Sequence, residues 1–457
     1  MEPGDSCSLI VFTRDLRIRD LPALQASIEA SPKVITAFIL DDDLLESLSS
    51  APNRLSFLLD SLCDLRDSIR ELGGELVLRR GNWVVEVARL VSETGASSVH
   101  MSQDVSAFAR SRMDQLTASL ANSSCKIQLH PGVTVLPPGT NSPGTGGFWK
   151  VFTPYYNKWI EARWRDVLPP PKQIHHLAGI PTLSVPALSE LSVSATSPNL
   201  ATGGESAGLE RLKIWAKSSL QTYEENHNAL ALDDSSRIAP YLHFGCLSPL
   251  EVAARLQGRP GAAPFIRQLC WRDFYHQALS ARPEISQVDY RNRGDVWRQD
   301  EQDAEAWRQG RTGYPLVDAA MQQLLLEGFM HNRARMVVAS FLTKDLYLDW
   351  RIGAAHFMKF LADADVANNQ LNWQWTAGTG SDTNPNRIFN PTVQSVRFDP
   401  DGGYIRRYLP ALAGLEAPLI HDPDIETRRL LGYPEKMVDH KLAIEAYRAQ
   451  LASYKSS

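Results

Sequence analysis

Five short apolar runs separated by helical patterns constrain this chain more than any other feature. They are "SLIVF" (Ser8–Phe12), "KVITAFIL" (Lys33–Leu40), "ELVLRR" (Glu75–Arg80), "SSVHM" (Ser97–Met101) and "KIQLH" (Lys126–His130). The clearest intervening helix is "RLSFLLDSLCDLRDSIRELGG", with apolar residues three and four apart and a closing Gly pair. Strands that alternate with helices need crossover connections, so the expected fold is a parallel, doubly wound α/β sheet. "TRDLRIRD" follows the first strand in place of a GxGxxG loop, so a dinucleotide fingerprint is absent.

The composition shifts after this region. "LPPPKQ" leads into "PTLSVPALSELSVSATSPNLATGGESAG", a Ser-, Ala- and Pro-rich connector. Beyond Leu209 the pattern is helical almost to the end. The expected organisation is an α/β domain over residues 1–135, a connector over 136–208 and a larger all-α domain over 209–457.

The chain of 457 residues is 43% hydrophobic and 22% charged, enough for two or three ordinary cores. Its net charge of −5 excludes a global basic field, so any nucleic-acid site must be a local patch. Five scattered Cys without a CxxC pair argue against disulfide or zinc frameworks, and no metal is expected. The start "MEPGDSCSLIVF" lacks a signal-peptide layout, and no apolar run is long enough to span a bilayer. A soluble, intracellular (cytoplasmic) protein is therefore expected, with no membrane partner.

Chemistry concentrates in "LADADVANNQLNWQWTAGTG" (Leu361–Gly380), where Asp363 and Asp365, Asn368 and Asn369, and Trp373 and Trp375 crowd together. Carboxylates accept bonds from sugar hydroxyls and ring N–H groups. An amide can face a ring nitrogen that gains and loses a proton, because it both donates and accepts. Indoles are readily oxidised and pack on flat rings. The set suits a redox-active flat cofactor such as a flavin. Upstream, Ser235, Ser236 and Arg237 precede an apolar helical segment and suit a phosphate, although alone they read as an ordinary N-cap. Trp271, Phe274 and Tyr275 form what is normally a core-facing stripe, with Arg272 and Asp273 a solvated pair. The "MHNRARM" segment reads as a solvated basic end or as polar groups lining a pocket, and a lone His there is more often structural.

In that order the chain resembles the photolyase/cryptochrome family, and most closely its cyclobutane-dimer photolyases. "VFTRDLRIRD", "VFTPYYNKW", "SSRIAPYLHFGCLSP", "WRDFYHQ", "GYPLVDAAM", "MHNRARM", "DLYLDWR", "NWQW" and "RIFNPTVQ" follow in family order along nearly the whole chain. The resemblance implies an antenna domain followed by a helical domain holding FAD. It also implies light-driven repair of a pyrimidine dimer flipped out of DNA by an electron from reduced flavin, as a monomer. It assigns Tyr223, Ser235, Ser236, Arg237, Ile238, Ala239, Arg335, Asp363, Ala364, Asp365 and Asn369 to FAD, with Asn369 facing flavin N5 and Arg335 pairing with the acids. Trp373, Trp350 and Trp297 match the family's electron-carrying indoles. Gln268, Trp271, Arg272, Tyr275, Asn332, Arg333, Met336, Trp375 and Gln394 match lesion and DNA contacts. Gln268, Asn332 and Asn369 are assigned catalytic roles beside the three indoles. Arg387, Arg397, Arg406 and Arg407 are candidates for a phosphate-binding patch.

Three departures stand out. Gln268 replaces the Glu usual in dimer photolyases. (6-4) photolyases and animal-type cryptochromes usually carry Gln, yet "MHNRARM" lacks the paired His of the (6-4) enzymes. His227 replaces a DNA-contacting Arg, and Ala239 replaces the last Ser of the FAD motif. Asp104, in "QDVSAFARSR", suggests a deazaflavin antenna chromophore rather than a folate. The alternatives are a (6-4) photolyase and a cryptochrome-type photoreceptor without repair activity. The missing tail after "YRAQLASYKSS", the retained "MHNRARM" and Trp375 favour repair.

Overall fold

The computed structural model describes residues 6–192 and 194–455. All five expected strands form, as β1 (Cys7–Phe12), β2 (Lys33–Asp41), β3 (Leu76–Gly81), β4 (Ser98–Ser102) and β5 (Lys126–His130). They pair in parallel in the order β3-β2-β1-β4-β5. The crossovers run through α1 (Pro22–Ala30), α2 (Asp42–Ser49), α3 (Pro52–Glu71), α4 (Trp83–Thr94) and α5 (Ala107–Ser119). β1 and most of β2 are buried along their length, which is why both read as continuous apolar runs rather than alternations. The topology reverses between β1 and β4, so the crevice beyond their C-terminal ends is a switch point where ligands of such sheets bind.

The chain divides into two compact units that are discontinuous in sequence. The first contains Met1–Thr196, Ala201–Gln221 and Ser236–Pro283, and the second Ser197–Leu200, Thr222–Ser235 and Glu284–Ser457. The connector expected over 136–208 holds a helix at Phe152–Glu161, while its Pro- and Ser-rich part has little regular structure beyond a 3-10 turn at Leu188–Glu190; Val34 N donates to His175 O at 2.8 Å in the first unit, and Ser197–Leu200 belongs to the second. The first unit also carries a long helix, α6 (Ala262–Ala281). The second is helical, with α7 (Pro315–Glu327), α8 (Asn332–Ser340), α9 (Trp350–Phe360), α10 (Val366–Ala377) and α11 (Pro391–Phe398). Trp307, Trp350, Trp373 and Phe341 lie in its core.

Two local readings change. Asp273 and Arg272 are not a solvated pair. The Asp273 carboxylate accepts from Val135 N, Leu136 N and Trp159 Nε1, and Arg272 donates to the carbonyls of Val133 and Leu242. The "MHNRARM" segment is not a solvated helix end. It opens α8, with His331 buried and its Nδ1 accepting from Arg333 N at 3.1 Å. Burial pushes the His331 imidazole down to about 4, so it stays neutral and able to accept.

The "TRDLRIRD" loop after β1 is locked by charge. Arg17 is fully buried and donates to the carbonyls of Arg19, Asp20, Gly132 and Gly245. Asp20, also fully buried, holds Arg165 through two bonds of 2.5 and 2.9 Å. Removing one partner of such a buried arrangement leaves the rest desolvated and unpaired, at a cost of about 3–5 kcal/mol. Arg17→Met is expected to lower the thermal transition of the first unit strongly, whereas the control Arg70→Met, at an exposed ion pair, should leave it nearly unchanged.

Candidate flavin and DNA site

In the second unit, Asp365 caps α10. Its carboxylate accepts from Asn368 N at 2.9 Å and from the Asn368 amide at 2.7 Å. Asn368 thus serves the cap. Asp363, just before it, forms a two-bond pair with Arg335 of α8, at 3.1 and 2.8 Å, with its side chain 6% exposed. Arg335 is held in turn by the Met330 carbonyl at 2.7 Å. Ala364 between the two acids is buried. The arrangement brings two carboxylates and a fixed guanidinium together within one helix start.

Asn369 is buried one turn into α10. Its amide nitrogen donates to Ala354 O at 3.1 Å, and among the described residues its amide oxygen accepts no bond. One turn further, the Trp373 indole N–H is buried without an acceptor. An orphaned polar atom at this depth is rare and calls for a partner the protein does not supply. A polar-edged flat ring can satisfy the indole and face the Asn369 amide, and the acids suit its ribityl and ribose hydroxyls, so the residues fit FAD. Gly353 of α9 makes room for Trp373, since a Cβ there would lie 2.1 Å from its ring.

The phosphate-type segment is a loop rather than a helix start. Ile238 precedes a single turn, Ala239–His243, with Ile238 buried and Ala239 exposed. Asp233 and Arg237 both hold a φ of 54°, uncommon for residues with a Cβ and a mark of backbone shaped for contact. Ser235, Ser236 and Arg237 are half-buried, and the Ser236 carbonyl is tied to Arg211 Nε at 2.9 Å. Tyr223 is half-buried, its ring 5.2 Å from that of His227. The His227 side chain lies within hydrogen-bond reach of the Tyr223 carbonyl and of the Asn228 amide, whose oxygen accepts two bonds from Arg333 at 3.1 and 2.8 Å.

Gln268 lies exposed on α6, with Trp271 and Tyr275 on the same face by helical spacing. Trp271 stacks flat on Phe152, 3.6 Å between centroids, while Tyr275 is buried. Arg272 is also buried, as a brace of loop carbonyls rather than a solvent-facing cation. In the second unit, Asn332 is exposed on the first turn of α8, with Met336 one turn on at 4.0 Å. Arg333 lies over the Phe398 ring at 4.3 Å, and Arg387 over Trp375 at 5.1 Å. Burial lowers the Arg333 guanidinium, and the charges of Arg397 and Arg387 lower it further, so the three cations converge. The half-buried Gln394 of α11 has an amide oxygen without a partner. Arg406 and Arg407 are committed elsewhere, to Leu415 O, Glu416 and Ala231 O.

The three matched indoles sit in one core. Trp350 donates to Asp289 at 2.8 Å, and Trp297 packs against Tyr347 at 5.1 Å. Trp373 has Phe357 at 5.0 Å and Trp307 at 6.0 Å as ring neighbours, and the sequence gives no signal for the Trp307 contact. At the β1–β4 switch point of the first unit, Arg14 meets Asp104 at 3.3 Å and lies beside His243. Among the described residues, no cluster of His, Cys, Asp or Glu could hold a metal ion, and no helix is long and apolar enough to cross a membrane.

Residues 8–173 match the DNA photolyase family and residues 265–453 the FAD binding domain of DNA photolyase. A deoxyribodipyrimidine photo-lyase of Streptomyces griseus is 46% identical over 95% of this chain and 96% of its own. A cryptochrome DASH of Gloeobacter violaceus is 33% identical over 94% of this chain and 93% of its own. A class III photolyase from Agrobacterium tumefaciens superposes with a TM-score of 0.91 at 33% identity, covering 99% of this chain and 98% of that one. Two family regions in family order, a sheet and a helical unit of the same architecture, and near-complete coverage lead to one conclusion: the chain belongs to the photolyase/cryptochrome family.

Proposed function

We propose that this protein uses light to split cyclobutane pyrimidine dimers in DNA, acting as a monomer on a lesion flipped out of the duplex. The observation that carries the reading is the acid, amide and indole set at the start of α10, with its orphaned Trp373 N–H. When bound and reduced, FAD supplies a photoexcited electron. Asp363, oriented by Arg335, and Asp365 would hold the cofactor's hydroxyls, with the Ser235–Ala239 loop and Tyr223 on its phosphates and ribityl chain. Asn369 would present its amide to the ring edge.

Trp271, Asn332, Met336 and Trp375 would receive the flipped pyrimidines, whose flat faces stack on indoles. Arg333, Arg387 and Arg397, with Gln394, would hold phosphates, and an exposed positive cluster of this kind makes binding salt-dependent. Trp297, Trp350 and Trp373 would return electrons to oxidised flavin. A second, light-harvesting chromophore of deazaflavin type is proposed at the β1–β4 switch point, supported by the Arg14–Asp104 pair there.

Asp363→Ala removes a buried acceptor and leaves Arg335 without its partner. FAD affinity should fall by about 1–3 kcal/mol, roughly 5- to 150-fold, read as flavin retained per protein after dialysis. Full occupancy would contradict the placement.

Trp373→Phe should strongly slow photoreduction of oxidised flavin and leave repair by chemically pre-reduced protein almost unchanged. Photoreduction at the wild-type rate would mean that electrons enter another way.

Gln268 can donate through its amide to a pyrimidine carbonyl but cannot supply an acidic proton to a developing radical anion. Gln268→Glu should therefore raise the quantum yield of dimer repair by a few-fold, since a donor to developing charge is strengthened. A (6-4) enzyme would instead lose activity on its own lesion and leave dimers untouched. No light-dependent repair of either lesion would leave the photoreceptor reading standing.

A further inference from the structure

In the second unit, the helix Glu301–Arg308, Leu325 of α7 and one face of α9 enclose a cavity of about 570 Å³. Pockets for small molecules span about 300–1,000 Å³, so the size is sufficient. None of the residues lining it is assigned to flavin, to the indole path or to DNA. The α9 contribution is periodic. Ile352, Ala355, His356, Lys359 and Phe360 recur at i, i+3, i+4, i+7 and i+8, which is one stripe of a helix. Ile352 and Phe360 also pack on the core, so the floor of the cavity is apolar and fixed.

One polar group in that floor lacks a partner. His356 is buried, and its Nε2 makes no hydrogen bond. Its ring is held between Trp307, 5.5 Å away and edge-on, and Phe360 at 4.8 Å. Burial pushes the imidazole down to about 4, with the charges of Arg308 and Lys359 adding to the effect and that of Glu305 opposing it. His356 is therefore neutral, and its Nε2 can carry the ring proton and donate it. A buried polar atom left unmatched in a cavity wall calls for a guest that matches it.

The charges around the cavity define that guest. Glu301 and Glu305 are both taken by Arg308, at 2.5 and 3.0 Å, and the Gln309 amide donates to Glu305 at 2.5 Å. Lys359 pairs with no acid among the described residues, and its Nζ lies 5.4 Å from the Phe360 ring. The cavity thus offers one uncompensated cation and one neutral donor above an apolar floor. A cationic guest meets Lys359 and acids already neutralised. A polyphosphate needs several guanidinium forks or a helix N-terminus, and neither faces this space. One carboxylate on an apolar body uses every feature present.

We infer that this cavity binds a small organic monocarboxylate, its body on Leu325, Ile352 and Phe360 and its carboxylate between Lys359 Nζ and His356 Nε2. The ammonium supplies a charge-assisted hydrogen bond, and the imidazole a second bond from a ring whose orientation is set before binding. Nothing in the site draws on flavin chemistry, so it stands apart from the repair reading.

The test is isothermal titration calorimetry on the flavin-loaded protein with 3-phenylpropionate. 3-Phenylpropanol and 3-phenylpropylamine, which share its body, are the controls. Wild type should bind phenylpropionate saturably at one site, with a Kd in the millimolar range or below. The alcohol and the amine should bind at least about tenfold more weakly, the value of a hydrogen bond to a charged group. Lys359→Met and His356→Phe should each weaken phenylpropionate by about tenfold on the same grounds. Ala355→Trp, which fills the cavity from an exposed position, should abolish binding. Flavin content and circular dichroism check folding. If the buried His356→Phe change fails to fold, Lys359→Met and Ala355→Trp, both at exposed positions, carry the test. No saturable binding by wild type overturns the site. Equal affinity for the alcohol or the amine overturns the carboxylate class, and wild-type affinity in Lys359→Met or in Ala355→Trp overturns the placement.

Discussion

Arg17 has no exposed surface, yet its guanidinium reaches four backbone carbonyls, two in its own loop and two from distant stretches of chain, at Gly132 and Gly245. Burying a guanidinium is tolerable only when its donors are satisfied; here two bonds close the loop after β1 on itself and two tie it to Gly132 and Gly245. Asp20 does the same for Arg165 and Leu168 N, and Glu205 for the N–H groups of Ile18 and Arg19. Burial pushes Glu205 up to about 7 despite those bonds and the nearby Arg17. Its carboxyl is therefore easier to bury protonated, and the stability tied to that raised value is complete below about 4.5 and lost as pH rises through 7. The loop that replaces a glycine-rich turn is thus a charged clamp on the first unit, not a phosphate cradle.

The second unit uses polar groups differently. Asp363, Asp365 and Asn369 are anchored on one side by Arg335, Asn368 and Ala354 O, which leaves a chemically defined other side. Anchoring of this kind fixes a site before any ligand arrives and spares the ordering cost on binding. Lys344, itself buried, donates to the carbonyls of Pro385 and Arg387 and so fixes the loop from which Arg387 reaches Trp375.

Strands and the acid–amide–indole cluster were legible because they are local. β1 and β2 announce themselves as long apolar runs and β3 to β5 as shorter ones broken by polar residues, and the α10 cap residue Asp365 lies three positions before the N–H it accepts. Arg272 and Asp273 were misread for the opposite reason. Helical spacing placed them on a polar face, but their partners, Val133, Val135, Leu136, Trp159 and Leu242, lie far away in sequence and turn that face inward. Arg406 and Arg407, expected in a phosphate-binding patch, are instead held by Leu415 O, Glu416 and Ala231 O, partners that no local pattern marks. Trp307 beside Trp373 and Tyr347 beside Trp297 belong to the same class, since ring contacts across a helical core leave no periodic trace.

A net charge of −5 and a DNA partner conflict only if every charge is assumed to project into solvent. It does not. Asp15, Asp20, Asp273, Asp318 and Glu205 are buried, and most are satisfied by N–H or O–H groups within the protein. Burial raises Asp15, Asp273, Asp318 and Glu205, which favours their neutral forms and removes part of their charge from the field. Arg387 and Arg397 are exposed, and with Arg333 they form a short-range positive cluster. Screening in salt limits a field to about 8–10 Å, so a phosphate near that cluster responds to three arginines and to Asp382, 3.7 Å from Arg387, and not to the acids deeper in the core. The formal sum overstates the repulsion that a DNA backbone meets, and the local arrangement decides the sign.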